Sequence, residues 1–388
     1  MQIATVNQLL LQNKEAIQLN KKLTAHQKKH LKAIGFCRTK YLGGRKFECN
    51  NCKTSKIIYN SCRNRHCPQC QTVERENWIA ARENDLLPVK YFHLVFTLPS
   101  ELNYFAILYA KQVYNALFTA SWQTLKTFAA DKKWLGAKTG MTSILHTWGQ
   151  NLSLHPHLHC IVPNGGIDEK SKWKTSKSKG KYLFNVKAMS TVFRAKYMEA
   201  LRANLKQINK SLPKDLTEKL FSKNWVVYAK KPFGNAKTVV EYLGRYSHKV
   251  AISNSRILSI ENNEVKFSYK DYKQNGKKKI MTLSKAEFIR RFAQHILPAK
   301  FMRIRHYGIM SSRNKKTTIP KIRKQLEPKS VDYKIYQKQD FKTLLLQKYK
   351  VDVNKCKQCK IGELQEKEKI PGEWQKPKLH QLKKMKGK

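Results

Sequence analysis

Two pairs of cysteines near the start of the chain constrain its fold more than any other feature of the sequence. Cys49 and Cys52 in CNNC, then Cys67 and Cys70 in CPQC, give the spacing C-x2-C-x14-C-x2-C. A two-residue gap lets both thiolates of a pair face one side of an ion, and two such pairs complete a tetrahedron around Zn²⁺. The spacing therefore predicts one zinc site built from Cys49, Cys52, Cys67 and Cys70. Four thiolates leave no open coordination position, so this ion is structural. Its role is to hold basic side chains such as Arg63 and Arg65 in place for nucleic acid, because a module this small builds little core of its own. Cys37, Cys62 and His66, with His26 and His30 upstream, leave room for a second ion or an exchanged ligand. The separate CKQC at Cys356 and Cys359 has no second knuckle after it and reads as half a site.

The charge balance points to the partner. Lys and Arg number 78 against 26 Asp and Glu, a net charge of +52 spread along all 388 residues. Self-repulsion on that scale calls for a polyanion, and nucleic acid is the partner expected. No apolar run approaches the ~20 residues of a membrane span. The N-terminus lacks a cleavage-site pattern, and six of nine cysteines lie between Cys37 and Cys70 at metal-ligand spacing. The expected location is the cytoplasm, with no membrane partner.

Composition divides the chain into residues 1–85, a zinc-binding DNA-recognition domain; 86–310, a catalytic domain; and 311–388, a basic arm expected to be partly disordered. In the middle region KYFHLVFTLP reads as a strand, and a long helix is expected from Asn103 to about Ala130. MTSILHTWGQ and HPHLHCIVPNGG read as two strands joined around Leu152 to Leu154. FRAKYMEALRANLKQI is helical, NWVVYAKK a strand and AKTVVEYLGRYSH a helix. A β-meander follows, with turns at Asn262-Asn263 and Asn275-Gly276. Strands and helices without regular βαβ spacing indicate an α+β domain on an antiparallel sheet.

Four of the twelve histidines fall between His146 and His159. On a strand, His155, His157 and His159 share one face while Leu158 and Cys160 take the other. His157 and His159 thus aim at one point, and an antiparallel neighbour brings His146 or Gln150 within reach. Two or three imidazoles leave positions open for a substrate oxygen, as a catalytic metal requires. Downstream, EYLGRYSHK sets Tyr242 and Tyr246 four apart, on one face of the expected helix. Beside an open metal site, a phenol can attack a polarised phosphate and store the bond as a phosphotyrosine.

HPHLHCIVPNGG, YLGRYSHKVAISNSR, NSCRNRHCPQC and FMRIRHYGIM together resemble the motifs of the two-tyrosine HUH transposases of rolling-circle insertion sequences, with their N-terminal zinc-binding domain. The resemblance runs in order from about Cys37 to Met310. It implies an HUH endonuclease-like antiparallel sheet with flanking helices, preceded by the small zinc domain. It implies His157 and His159 as metal ligands, Tyr242 and Tyr246 as nucleophiles, and Mg²⁺ or Mn²⁺ as the catalytic ion beside the structural Zn²⁺. The third ligand is assigned to His146, with Gln150 and His155 as rivals. His248 and Lys249 could contact phosphate. The expected partners are the element's DNA ends, in single-stranded form, and target DNA; Trp148 and Tyr307 are candidates to stack on unpaired bases. Two other classes fit parts of the pattern: a non-catalytic zinc-ribbon DNA-binding protein, and a metal-dependent nuclease that activates water.

Overall fold

A computed structural model describes residues 4–178, 183–230, 244, 251–328 and 336–374. The N-terminal part holds α1 (Val6–Gln12), α2 (Lys14–Leu19) and α3 (Ala25–Gly35), the hairpin β1 (Gly44–Cys49) and β2 (Ser55–Tyr59), and α4 (Thr72–Asn84). The middle runs β3 (Tyr91–Thr97), α5 (Asn103–Leu108), α6 (Ala110–Ala130), β4 (Gly140–Trp148), β5 (Leu154–Pro163), β6 (Gly166–Ile167), β7 (Trp173–Lys174), α7 (Val186–Lys206), α8 (Lys214–Phe221) and β8 (Val226–Lys230). The meander β9 (Ile257–Glu261), β10 (Glu264–Asp271) and β11 (Lys277–Ser284) follows, then α9 (Lys285–Gln294), β12 (Ile304–Gly308), α10 (Ser312–Leu326), α11 (Phe341–Tyr349) and β13 (Leu364–Ile370).

The central sheet is antiparallel, in the order β12-β4-β5-β3-β8. Strand alternation gives it two unlike faces. Phe92, Leu94 and Phe96 of β3, Met141 and Leu145 of β4, and Leu158, Cys160 and Val162 of β5 enter the largest core. There they meet α6 and α7, whose buried residues recur at three- and four-residue steps, such as Val113, Leu117 and Phe193, Tyr197. The expected single helix after Asn103 is broken at Tyr109, whose backbone (φ −124°, ψ 45°) leaves the helical region. The opposite face is apolar at one end only. Tyr91, Ile144 and Ile161 pack there with Ile79 of α4 and with Ile319 and Ile322 of α10. The remaining end of that face carries histidines.

The meander forms its own three-stranded sheet, and both expected turns are present: Asn262 and Asn263 (φ 42° and 60°) and Asn275 and Gly276 (φ 50° and 78°) take left-handed backbone. Val265 and Phe267 of this sheet pack with α9 and with α1 and α3 in a second core. This core ties the N-terminal helices to the loop at Leu152.

The C-terminal segment departs from expectation. Its lysine-rich composition with few aromatics predicts a partly disordered arm, but α10 buries Ile319 and Ile322, and β13 pairs antiparallel with β1 from Gly44↔Ile370 to Cys49↔Leu364. The last described residues therefore complete the N-terminal sheet β13-β1-β2.

Candidate active site and metal centres

The β4–β5 register sets His146 directly opposite His157, and Ile144 opposite His159. Strand alternation then brings one nitrogen of each histidine to within 4.8 Å of the other two. The Nε2 atoms of His157 and His159 approach to 3.2 Å. Each of these two rings is held through its other nitrogen. His157 Nδ1–H donates to the His155 carbonyl at 2.7 Å, and His159 Nδ1 shares a 2.9 Å hydrogen bond with Nε2 of buried His93 on β3. Such tethers fix the tautomer and turn the free Nε2 lone pair toward a shared point. His146 is buried and stacks on Trp148, ring centroids 4.6 Å apart at 18°. Burial pushes the His157 imidazole down to about 4, so it is neutral near pH 7 with its lone pair available. Three imidazoles suit a divalent ion and leave positions for a phosphate oxygen and water.

Of the rival third ligands, His155 stays exposed with its ring 5.1 Å from that of His157, and Gln150 lies in the β4–β5 turn, where its carbonyl accepts from Arg256. Tyr242, Tyr246, His248 and Lys249 lie outside the described residues. Gly244, midway between the tyrosines in sequence, is buried and helical, and a Cβ there would run into the Ile79 side chain of α4. Tyr307 stacks on Trp122 (5.2 Å, 14°) on the core side of the sheet, where it packs against helix α6.

The cysteines are regrouped relative to the sequence reading. Cys67 and Cys70 do not meet Cys49 and Cys52. They gather with Cys37 and Cys62, and Cys49 and Cys52 gather with Cys356 and Cys359. In the first group the Sγ atoms of Cys37 and Cys70 lie 3.3 Å apart and those of Cys62 and Cys70 3.6 Å, with Asn7 Nδ2 donating to Cys67 at 3.4 Å. The physical reason is that a knuckle's spacing is local, whereas the choice of its partner knuckle is made by long-range strand pairing. Here β13 places Cys356 and Cys359 beside the β1–β2 turn that carries Cys49 and Cys52. Backbone amides of Gly362 and Ile361 draw the Cys359 thiol down to about 6, toward the thiolate a metal requires. Arg65 is tied to the Pro298 and Phe301 carbonyls, so this basic side chain braces the fold.

Residues 140–317 match the family profile described as "Putative transposase", and residues 9–98 match the "Transposase zinc-binding domain". The protein described as "Putative transposase y4qJ" of Sinorhizobium fredii is 41% identical over 78% of this chain and 78% of its own length. The transposase of insertion sequence element IS801 from Pseudomonas savastanoi pv. phaseolicola is 30% identical over 75% of this chain and 72% of its own. Among solved structures, the conjugative relaxase TrwC in complex with oriT DNA aligns with 40% of this chain and 71% of its own, at 11% identity and a TM-score of 0.24. The chain belongs to the two-tyrosine transposases of rolling-circle insertion sequences that carry an N-terminal zinc-binding domain.

Proposed function

We propose that this transposase nicks one DNA strand at the ends of its element and holds the new 5′ end as a phosphotyrosine until it is rejoined. The observation that carries the reading is the trio His146, His157 and His159, set on adjacent strands with two of its rings tethered from behind. These residues would hold Mg²⁺ or Mn²⁺, which when bound supplies Lewis-acid polarisation of the scissile phosphate. The chain's own share is to orient and to attack. The sheet face presents the phosphate, and the Oη of Tyr242 or Tyr246 bonds to phosphorus as the bond to the 3′ oxygen breaks. The phenol's proton is lost, and the departing 3′ oxygen gains one. The reverse reaction with another 3′-OH rejoins the strand and frees the tyrosine. Two tyrosines serve two successive cleavages, and no nucleotide is consumed because the covalent link conserves the bond. Single-stranded DNA is the substrate form, since the nucleophile must approach in line with the leaving oxygen.

The test is incubation with Mn²⁺ and end-labelled single strands from the element's termini, followed by denaturing electrophoresis. Wild type should give a labelled protein–DNA adduct that requires metal, Tyr242→Phe and Tyr246→Phe should each lose part of it, and the double variant all of it. Cleavage with no adduct would replace this reading by a water-activating nuclease, and binding with no cleavage by a DNA-binding module.

A further inference from the structure

We propose that Cys49, Cys52, Cys356 and Cys359 bind a second structural zinc ion, which clasps the C-terminal segment onto the N-terminal module. Two of its four ligands come from beyond both family-matched regions, which end at residue 98 and residue 317. The Sγ atoms of Cys49 and Cys359 lie 3.7 Å apart, as do those of Cys52 and Cys356. Around an ion with Zn–S bonds of ~2.3 Å, a regular tetrahedron spaces its sulfurs by about 3.8 Å.

The backbone is built for that geometry on both sides. Each knuckle is followed by a lysine in left-handed conformation, Lys53 at φ 59° and Lys360 at φ 60°, so the two C-x2-C-K turns repeat one another. They are stitched together by hydrogen bonds from Asn50 N to the Glu363 carbonyl (3.0 Å) and from Glu363 N to Asn50 Oδ1 (2.8 Å). Gly362 lies where a Cβ would come within 2.6 Å of Cys49 Sγ, so the close approach of the knuckles requires glycine. An apolar alternative to the ion is absent from this end of the sheet among the described residues, because β2 and β13 expose nearly all their side chains. With so little core, the strand pairing needs a metal to hold it.

The clasp reaches the other cysteine group. Beyond β13, Trp374 N donates to the Tyr41 carbonyl at 2.9 Å, and its indole packs edge-on against Phe36, next to Cys37. The chain's last described residues therefore bridge the two thiolate centres.

The full-length protein, purified without added chelator, should carry two zinc ions per chain by elemental analysis. Cys356→Ser/Cys359→Ser should carry one, and Gly362→Val should lose the same ion with all its cysteines present. Thiol alkylation read by mass spectrometry should leave Cys356 and Cys359 unmodified in the zinc-loaded protein and label them after chelation. Should the variants fail to fold, titration of the metal-free wild type with Co²⁺ still decides: tetrathiolate absorption should saturate at two equivalents. One zinc in the wild type, saturation at one equivalent, iron in place of zinc, or two ions retained in the double variant would overturn the proposal. None of these readouts depends on strand cleavage.

Discussion

His93 has no local marker in KYFHLVFTLP, where a lone histidine between apolar neighbours reads as core. Its part becomes visible only through the β3–β5 register, which sets Val95 opposite His159 and leaves His93 one diagonal step away, 2.9 Å from His159 Nδ1. Losing such an outer hydrogen bond typically weakens metal binding by about 10- to 100-fold. His93→Leu should therefore raise the Mn²⁺ concentration giving half-maximal adduct roughly tenfold or more, with the rate recovered at saturating metal. A rate lost equally at every metal concentration would mean that His93 supports the fold alone. The contrast with His157 and His159 shows what was legible. A period of two is written in the sequence, so the pair was readable from spacing, whereas an antiparallel partner offered His146 or Gln150 alike and only the resemblance favoured His146. The cysteine partners were not readable, because Cys49 and Cys359 are joined by pairing across some three hundred residues that no local pattern records.

At the scale of elements, most strands and helices of the middle region were legible because each carries its own signal: alternating apolar residues, buried stripes at helical spacing, Asn-Asn and Asn-Gly turns. Helix α10 and strand β13 were not, since a lysine-rich segment reveals its few anchoring apolar residues only when a surface is there to receive them. The seam that receives α10 is itself titratable. His306 of β12 is nearly enclosed, its Nδ1 bonded to Thr142 Oγ1 at 2.9 Å and its Nε2 facing Arg82 of α4 at 3.0 Å. Arg82 in turn pairs with Asp85, which also binds Lys315 of α10. Burial, reinforced by Arg82 and Lys315, pushes His306 down to about 3. A histidine lowered in the folded state contributes fully above its unfolded value of ~6.5, and that contribution is lost as pH falls, because the unfolded chain takes up a proton that the native one refuses. Stability to urea, measured with zinc present, should thus decline from pH 6.5 to pH 5. His306→Asn should flatten that decline, and an unchanged slope would show that the seam tolerates a charged ring.

Over the whole molecule, positive charge exceeds negative by +52. Glu76, Asp85, Asp271 and Glu287 are all engaged in ion pairs within the described fold, two of them nearly buried. With Lys and Arg at 78 against 26 Asp and Glu, phosphate contacts should dominate DNA affinity. For a single strand, each neutralised phosphate contributes about −0.7 to the slope of log affinity against log salt. Six or more contacts then give a slope of about −4 or steeper, a loss of roughly two to three decades between 50 and 200 mM. Fluorescence anisotropy with a labelled single strand from the element's end measures this directly. A slope near zero would mean that the net charge serves something other than nucleic acid, and that base stacking alone holds the strand. A steep slope shared by unrelated sequences would assign the charge to general DNA affinity, leaving recognition of the element's ends to contacts that read bases or hairpin shape.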